Sequence, residues 1–73
     1  MDLVRWSALL ADWSKGEGPL YLRLAGHLKS KIRSGYLRPD ELLPAERSLA
    51  NLLSISRSTV VAAYDLLSDE QWI

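Results

Sequence analysis

The sequence predicts a small domain that consists mainly of α-helices. Across most of its 73 residues, apolar side chains recur three or four positions apart, which is the period of a helix with one buried face. Short stretches rich in glycine, proline and serine divide this pattern into four segments. Apolar residues make up 48% of the chain and charged residues 25%, which is typical of one globular domain rather than a disordered tail.

Composition excludes several classes of function. The chain contains no cysteine, so disulfide frameworks and thiolate metal sites are ruled out. Its single histidine, His27, lies beside an apolar stripe and is predicted to be structural or solvated rather than a metal ligand. Neither a glycine-rich phosphate loop nor a histidine–carboxylate pair is present. The sequence therefore predicts no catalytic residue, metal site or cofactor site in this chain, and no enzyme.

The start of the chain does not resemble a targeting segment. Charged residues at Asp2, Arg5 and Asp12 interrupt the apolar run that a secretory signal needs. No stretch reaches the roughly 18 apolar residues of a membrane span. We therefore expect a cytoplasmic protein without a membrane partner.

Residues 1–15 predict an amphipathic N-terminal helix, separate from the domain at residues 19–73. Five apolar side chains share its stripe: Leu3, Trp6, Leu9, Leu10 and Trp13. Two glycines and a proline end the pattern before residue 20. The two tryptophans have two interpretations, because they could pack against the rest of the domain or dock onto another subunit or domain.

The second helix is predicted to begin at Pro19, whose missing N–H costs nothing in a first helical turn. Its apolar stripe repeats every four residues, at Leu20, Leu24, Leu28 and Ile32. Ser34 and Gly35 then end the helix, since glycine is favoured just past a C-terminus. The following connection contains two prolines, and its three leucines, Leu37, Leu42 and Leu43, are predicted to be anchored in the core.

Residues 46–65 predict a helix-turn-helix. A first helix after Pro44 has the small residue Ala50 where a second helix would cross it, and the apolar Ile55 follows in the turn. Ser56 is a good N-cap for a second helix over residues 56–69, because its hydroxyl can accept an unpaired N–H of the first turn. Three apolar side chains of this helix face inward at helical spacing: Val60, Ala63 and Tyr64.

The polar first turn of this second helix points to DNA. The major groove is about 12 Å wide and admits one helix by its N-terminal end. The hydroxyls of Ser56, Ser58 and Thr59 can meet phosphate oxygens there, and Arg57 can reach a guanine or a phosphate. Arg47, one helix earlier, is predicted to lie near the same groove edge. Each arginine could instead be a solvated surface charge, and Ser56 only a cap.

The charges are unevenly distributed although the net charge is zero. Residues 1–19 have a net charge of −1, residues 20–57 of +4 and residues 58–73 of −3. A basic middle segment that runs into the helix over residues 56–69, the candidate recognition helix, is compatible with an oriented DNA-binding domain.

Several blocks together resemble the winged helix-turn-helix domain of GntR-family bacterial transcriptional regulators. The blocks are Pro19-Leu20-Tyr21, Ile32-Arg33-Ser34-Gly35-Tyr36-Leu37, Leu43-Pro44-Ala45-Glu46-Arg47-Ser48-Leu49-Ala50, Ser56-Arg57-Ser58-Thr59 and Trp72-Ile73. The run Val60-Val61-Ala62-Ala63-Tyr64 looks most like the MocR branch. The resemblance implies a three-helix core plus an extra N-terminal helix, and DNA contacts by Arg47 and by Ser56, Arg57, Ser58 and Thr59.

The resemblance also implies partners outside this chain. In the MocR branch it implies a following aminotransferase-like domain that binds pyridoxal phosphate. A double-stranded DNA operator and a homodimer of the full-length protein are expected as well, because one such helix reads too few base pairs for useful specificity. Two positions depart from the family pattern, because Ser54 and Gln71 stand where glycine is usual, and Ser54 is expected to need a positive φ. The chain is also expected to stop before most of the β-wing.

A different class of function is a helical protein-interaction module without DNA binding, which would use the stripe of Trp6 and Trp13 as its contact surface. Salt dependence distinguishes the two hypotheses, because only the neutralisation of phosphates requires affinity to fall as salt rises.

Overall fold

A computed structural model describes residues 2–73 of the chain. The described residues form four helices, α1 (Leu3–Leu9), α2 (Leu20–Arg33), α3 (Glu46–Leu53) and α4 (Arg57–Asp69), and contain no β-strand. Helix α4 packs against both α2 and α3. The mainly α prediction is confirmed. None of the helices in residues 2–73 is long and apolar enough to cross a membrane.

One continuous core joins all four helices. Trp6, Leu24, Leu28, Leu49, Val60 and Leu67 are among its buried members. No polar or charged residue among the described ones is buried in it. Leu3 and Leu20, at the starts of their helices, are exceptions, with 58% and 41% exposure. The rest of the apolar stripes face a common interior, whose burial supplies the main favourable free energy of folding.

Helix α1 is shorter than predicted. It begins at the N-cap Asp2, whose carboxylate accepts a hydrogen bond from the Arg5 backbone N–H at 3.1 Å, and it ends at Leu9. Residues 10–14 form turns instead of continuing the helix. The turns still bring Leu10 into the core and Trp13 against it, so the period of the apolar residues persists after the helix has ended.

The tryptophans of the N-terminal segment pack within the domain. Trp6 is only 4% exposed, and Trp13 is partly buried against the core. His27 Nε2 lies 2.7 Å from the carbonyl oxygen of Leu9, to which it donates, so the histidine has a structural contact rather than a free ligand position. The docking surface that a protein-interaction module would need is therefore largely covered.

Arg5 ties α1 to the connection between α2 and α3. Its guanidinium binds the carboxylate of Glu41, and it also donates to the backbone oxygen of Tyr36 at 3.1 Å. The hydrogen bond from Arg5 lowers the pKa of Glu41 and raises the pKa of Arg5 itself, more than the charge–charge attraction does. This contact fixes a loop that leads into α3.

The leucines of this connection differ in burial. Leu37 is 2% exposed and Leu43 is partly buried against the core, as predicted. The prediction for Leu42 was wrong, because its side chain is 91% exposed. Leu42 and Leu43 are neighbours in a non-helical segment, where successive side chains point to opposite sides, so only one of them can face the core.

Helix α2 ends with a Schellman motif. The N–H of Tyr36 donates to Lys31 O at 3.0 Å and that of Gly35 to Ile32 O at 3.2 Å. Gly35 has a φ of 87°, which only glycine adopts without strain. The predicted glycine end of the helix is confirmed.

Helices α3 and α4 end in the same way, but without glycine. Ser54 has a φ of 57° and Gln71 a φ of 62°, and the next residue after each donates to the preceding helix. The N–H of Ile55 bonds to Ala50 O at 3.0 Å, and that of Trp72 to Leu67 O at 2.8 Å. The expected positive φ at Ser54 is confirmed, and two helix ends carry backbone strain.

We predict that Ser54→Gly stabilises the domain by about 0.5–1 kcal/mol. The substitution removes a left-handed strain of about 1–2 kcal/mol, and the extra entropy of glycine in the unfolded chain offsets part of that gain. Ser30→Gly is the matched control, because Ser30 is an exposed residue inside α2 where glycine should cost about 0.5 kcal/mol. Urea unfolding measures the free energy of unfolding of both variants. A change of the same sign in the two variants would contradict the prediction.

Candidate nucleic-acid interface

Helices α3 and α4, with the intervening residues 54–56, form the predicted helix-turn-helix. Ala50 and Val60 are buried where the two helices pack, at 4% and 0% exposure. Ile55 is partly buried against the core in the turn between them. The small residue and the apolar turn residue therefore occupy the positions that the sequence predicts, and they fix the angle at which α4 leaves the domain.

Tyr64 connects the middle of α4 to the start of α3. Its hydroxyl donates to the backbone oxygen of Pro44 at 2.8 Å. Burial raises the pKa of Tyr64, and the nearby Glu46 carboxylate raises it further, so the phenol stays protonated and keeps donating. The bond holds the first turns of α3 in register with α4.

Ser56 caps α4, as predicted. Its Oγ accepts a hydrogen bond from the Thr59 backbone N–H at 3.3 Å. The same oxygen lies 2.8 Å from Thr59 Oγ1 and 3.1 Å from Ser58 Oγ. The three hydroxyls thus form one cluster at the start of the recognition helix, and a phosphate contact by Ser56 requires that one of these bonds open.

Arg57 begins α4 and reaches back to α3. Its Nη2 lies 3.2 Å from Glu46 Oε1, with the two side chains 61% and 33% exposed. An exposed ion pair of this kind contributes only about 0–1 kcal/mol, so the guanidinium can exchange Glu46 for a DNA group at little cost. Glu46 lies in the first turn of α3, so this ion pair joins the starts of the two helices.

Arg47 lies next to Glu46 on the exposed side of α3. Within residues 2–73 the structure shows no ion pair or hydrogen bond from its side chain. The structure thus brings the hydroxyl cluster and Arg57 together at one helix end and places Arg47 in the first turn of the preceding helix, beside the partner of Arg57.

The outer face of α4 contains residues that the sequence prediction did not include. Val61, Ala62 and Asp65 continue the face of Arg57 and Ser58, and these five residues line a shallow concavity of about 380 Å³. Their positions differ from Ser58 by three, four and seven, which is the spacing of one helical stripe. That spacing was the available signal, but the predicted site stopped after the polar first turn.

A comparison with known protein families identifies the domain. The model described as "Bacterial regulatory proteins, gntR family" matches residues 20–73. The chain belongs to the GntR family. Its helix-turn-helix is accordingly a DNA-binding domain of a kind used in transcription regulation, and the resemblance seen in the sequence is confirmed.

The relatives are bacterial transcriptional regulators. The arabinose metabolism transcriptional repressor of Geobacillus stearothermophilus is 42% identical over 55 residues, which are 75% of this chain and 15% of that protein. The HTH-type transcriptional regulator GgaR of Escherichia coli is 42% identical over 52 residues, 71% of this chain and 21% of that protein. The probable rhizopine catabolism regulatory protein MocR of Rhizobium meliloti is 36% identical over 55 residues, 75% of this chain and 11% of that protein.

The chain thus spans about a fifth or less of the curated relatives described. MocR is one of several similar proteins, and the other two relatives named above share a higher identity with this chain. The MocR branch therefore stays a prediction within the confirmed family. No solved structure matches the chain.

The basic side chains of α2 in this GntR domain have structural contacts. Lys29 and Arg33 both lie over the ring of Trp72, at 5.8 and 5.4 Å from its centre, and Lys29 also pairs with Glu70. This cluster stands at the C-terminal end of α4, about 20 Å along the helix from Arg57. Part of the basic middle segment therefore stabilises the fold away from the recognition turn.

We predict that Tyr64→Phe destabilises the GntR domain by about 1–2 kcal/mol, because it leaves the Pro44 oxygen without its donor. Tyr36→Phe is the matched control: Tyr36 is 65% exposed, and its hydroxyl has no hydrogen bond among the described residues. Thermal unfolding measures both, and equal losses would contradict the role of the bond.

The Tyr64 variant should also change the alkaline limit of stability. The raised pKa of Tyr64 means that its contribution is complete below the ordinary tyrosine pKa of about 10 and is lost as pH rises above it. In Tyr64→Phe the free energy of unfolding should lose this part of its decrease at alkaline pH. A decrease of unchanged size above about pH 10 would show that it does not come from Tyr64.

Proposed function

We propose that this domain directs a bacterial transcriptional regulator to its operator, with the N-terminal end of α4 in the major groove. The observation that carries the proposal is the exposed Arg57 beside the hydroxyl cluster of Ser56, Ser58 and Thr59 at the first turn of that helix. An exposed cation and hydroxyl groups at a helix N-terminus match both phosphate oxygens and the acceptor edge of guanine.

Each proposed contact has a distinct role. Arg57 leaves Glu46 and binds a guanine or a phosphate, which makes it the main determinant of affinity. Ser58 and Thr59 donate to phosphate oxygens, and Ser56 holds the helix start in place while it shares in those bonds. Arg47 binds the phosphate backbone of the DNA at the groove edge, and it sets the orientation of the domain rather than its sequence preference.

The whole protein would bind as a homodimer. One recognition helix reads too few base pairs for useful specificity. Two copies related by a two-fold axis would read the two half-sites of a repeated operator, whose centres lie about one turn of DNA apart. We further propose that the protein acts in the cytoplasm, where its DNA is, and that this domain has no enzymatic activity of its own.

Pyridoxal phosphate does not fit the described part of this chain. Its lysines lie at the surface, where Lys15 pairs with Asp12, Lys29 with Glu70 and Lys31 lies 5.1 Å from the ring centre of Tyr36. None of them projects into an enclosed cavity lined by polar groups. A cofactor of a MocR-like regulator would therefore be held outside residues 2–73.

Titration of the full-length protein with DNA at several salt concentrations tests the proposal. An operator is first selected from a random-sequence pool, and binding is then followed by fluorescence anisotropy on the operator and on a scrambled duplex. We expect log K to fall linearly with log salt on both, with a tighter constant for the operator. Affinity that does not change with salt, or is equal for the two duplexes, would contradict sequence-specific DNA binding.

A further inference from the structure

The outward stripe of α4 is apolar in its middle. Val61 and Ala62 are half-buried and lie between the polar first turn and Asp65. The core stripe of the same helix, at Val60, Ala63 and Leu67, is completely buried on the other side. Val61 and Ala62 therefore do not serve the core of this domain, although they are the side chains of α4 that follow Arg57 and Ser58 along the exposed face.

We propose that Val61 and Ala62 recognise the methyl group of a thymine in the major groove, next to the base pair that Arg57 contacts. This inference rests on the proposed function, because it requires α4 to lie in the groove. The thymine methyl is the apolar group that base pairs present there, whereas the other groups on the base edges are hydrogen-bond donors and acceptors.

The chemistry of the stripe favours thymine over the other bases. Neither valine nor alanine can bond to an amino group or a carbonyl oxygen, so covering such a group would remove its water without replacing the hydrogen bond. A methyl group loses nothing by the same contact and gains from burial. Both side chains are short, which lets the helix backbone approach the base edges closely.

Charges at the two ends of the stripe determine where it lies on the operator. Arg57 attracts the phosphates and guanine, and the carboxylate of Asp65 repels the phosphates. Asp65 stands seven residues after Ser58, about 10 Å further along the helix axis. These charges confine the apolar contact to about one turn of α4, about 5 Å along its axis. That length corresponds to one or two base pairs beside the guanine.

Replacement of thymine by deoxyuridine tests the inference, since it removes only the methyl group. The full-length protein is titrated with its selected operator and with operators in which each thymine of a half-site is replaced singly. We expect affinity to fall about fourfold at one or two adjacent positions, as for the loss of one buried methyl group, and not at the others. Equal affinity for every substituted operator would overturn the proposal.

Variants assign the effect to the stripe. In the double variant Val61→Ser and Ala62→Ser the thymine and deoxyuridine operators should bind equally, while helicity measured by circular dichroism is retained. Val4→Ser is the matched control: Val4 is 82% exposed on α1, so the fourfold preference should persist. A preference that survives in the double variant would assign the methyl contact to other residues. If the unaltered protein bound the operator no more tightly than a scrambled duplex, that result would instead contradict the proposed function itself.

Discussion

Replacement of Arg57 by alanine is expected to lower the affinity of the full-length protein for its operator about 10- to 100-fold. A bidentate arginine contact contributes about 1–3 kcal/mol of discrimination, whereas the ion pair with Glu46 that it gives up contributes about 0–1 kcal/mol. The gain from DNA therefore exceeds the cost of leaving Glu46. Fluorescence anisotropy on operator and scrambled duplexes measures the loss, which should be larger on the operator.

Arg33→Ala is the charge-matched control for this variant. Arg33 also carries one positive charge, but it lies over Trp72 at the far end of α4. It should change operator affinity much less than Arg57→Ala, and the ratio of operator to scrambled affinity should stay constant. Equal losses for the two variants would mean that Arg57 acts only through the net charge of the domain.

Replacement of Leu49 by alanine is expected to destabilise the domain by about 2–5 kcal/mol. Leu49 is fully buried between α3 and the rest of the core, and a truncated leucine loses its burial and leaves a cavity. A domain of this size has a total free energy of unfolding of about 4–11 kcal/mol, so the loss removes a large part of it. Thermal unfolding should show a Tm lower by about 10 °C or more.

Leu42→Ala separates the effect of burial from the effect of losing a leucine. The side chain of Leu42 is 91% exposed, so its removal should change the free energy of unfolding by less than about 0.5 kcal/mol. A large loss at Leu42, or a loss below 1 kcal/mol at Leu49, would contradict the packing described above.

Much of the interface could be predicted because it depends on local chemistry. The cap at Ser56 and the turn at Ile55 involve residues within five positions of each other, and their residue types indicate their roles directly. The contact of Arg57 with Glu46 was not predicted, because eleven residues separate them and only the crossing of two helices brings them together. Val61 and Ala62 were not predicted as part of the site, because apolar residues in a helix normally indicate the core.

The N-terminal segment shows the same division. Its apolar period predicted a helix that faces the core, and Trp6 does so. The helix nevertheless ends at Leu9, and Leu10 and Trp13 reach the core through the turns that follow it. A period in the sequence indicates which side chains face inward but not whether the backbone between them stays helical.

The sequence by itself determined four helical segments, the cap at Ser56, the glycine end of α2, the helix-turn-helix and the family, since each of these depends on residues close together in the chain. The zero net charge already divided into blocks of −1, +4 and −3 at that level. Only the tertiary structure decided that Leu43 rather than Leu42 faces the core, and that Lys29 and Arg33 lie against Trp72 while Arg57 stays exposed. The physical reason is that burial and ion pairing depend on distances between helices, which no spacing along the chain specifies.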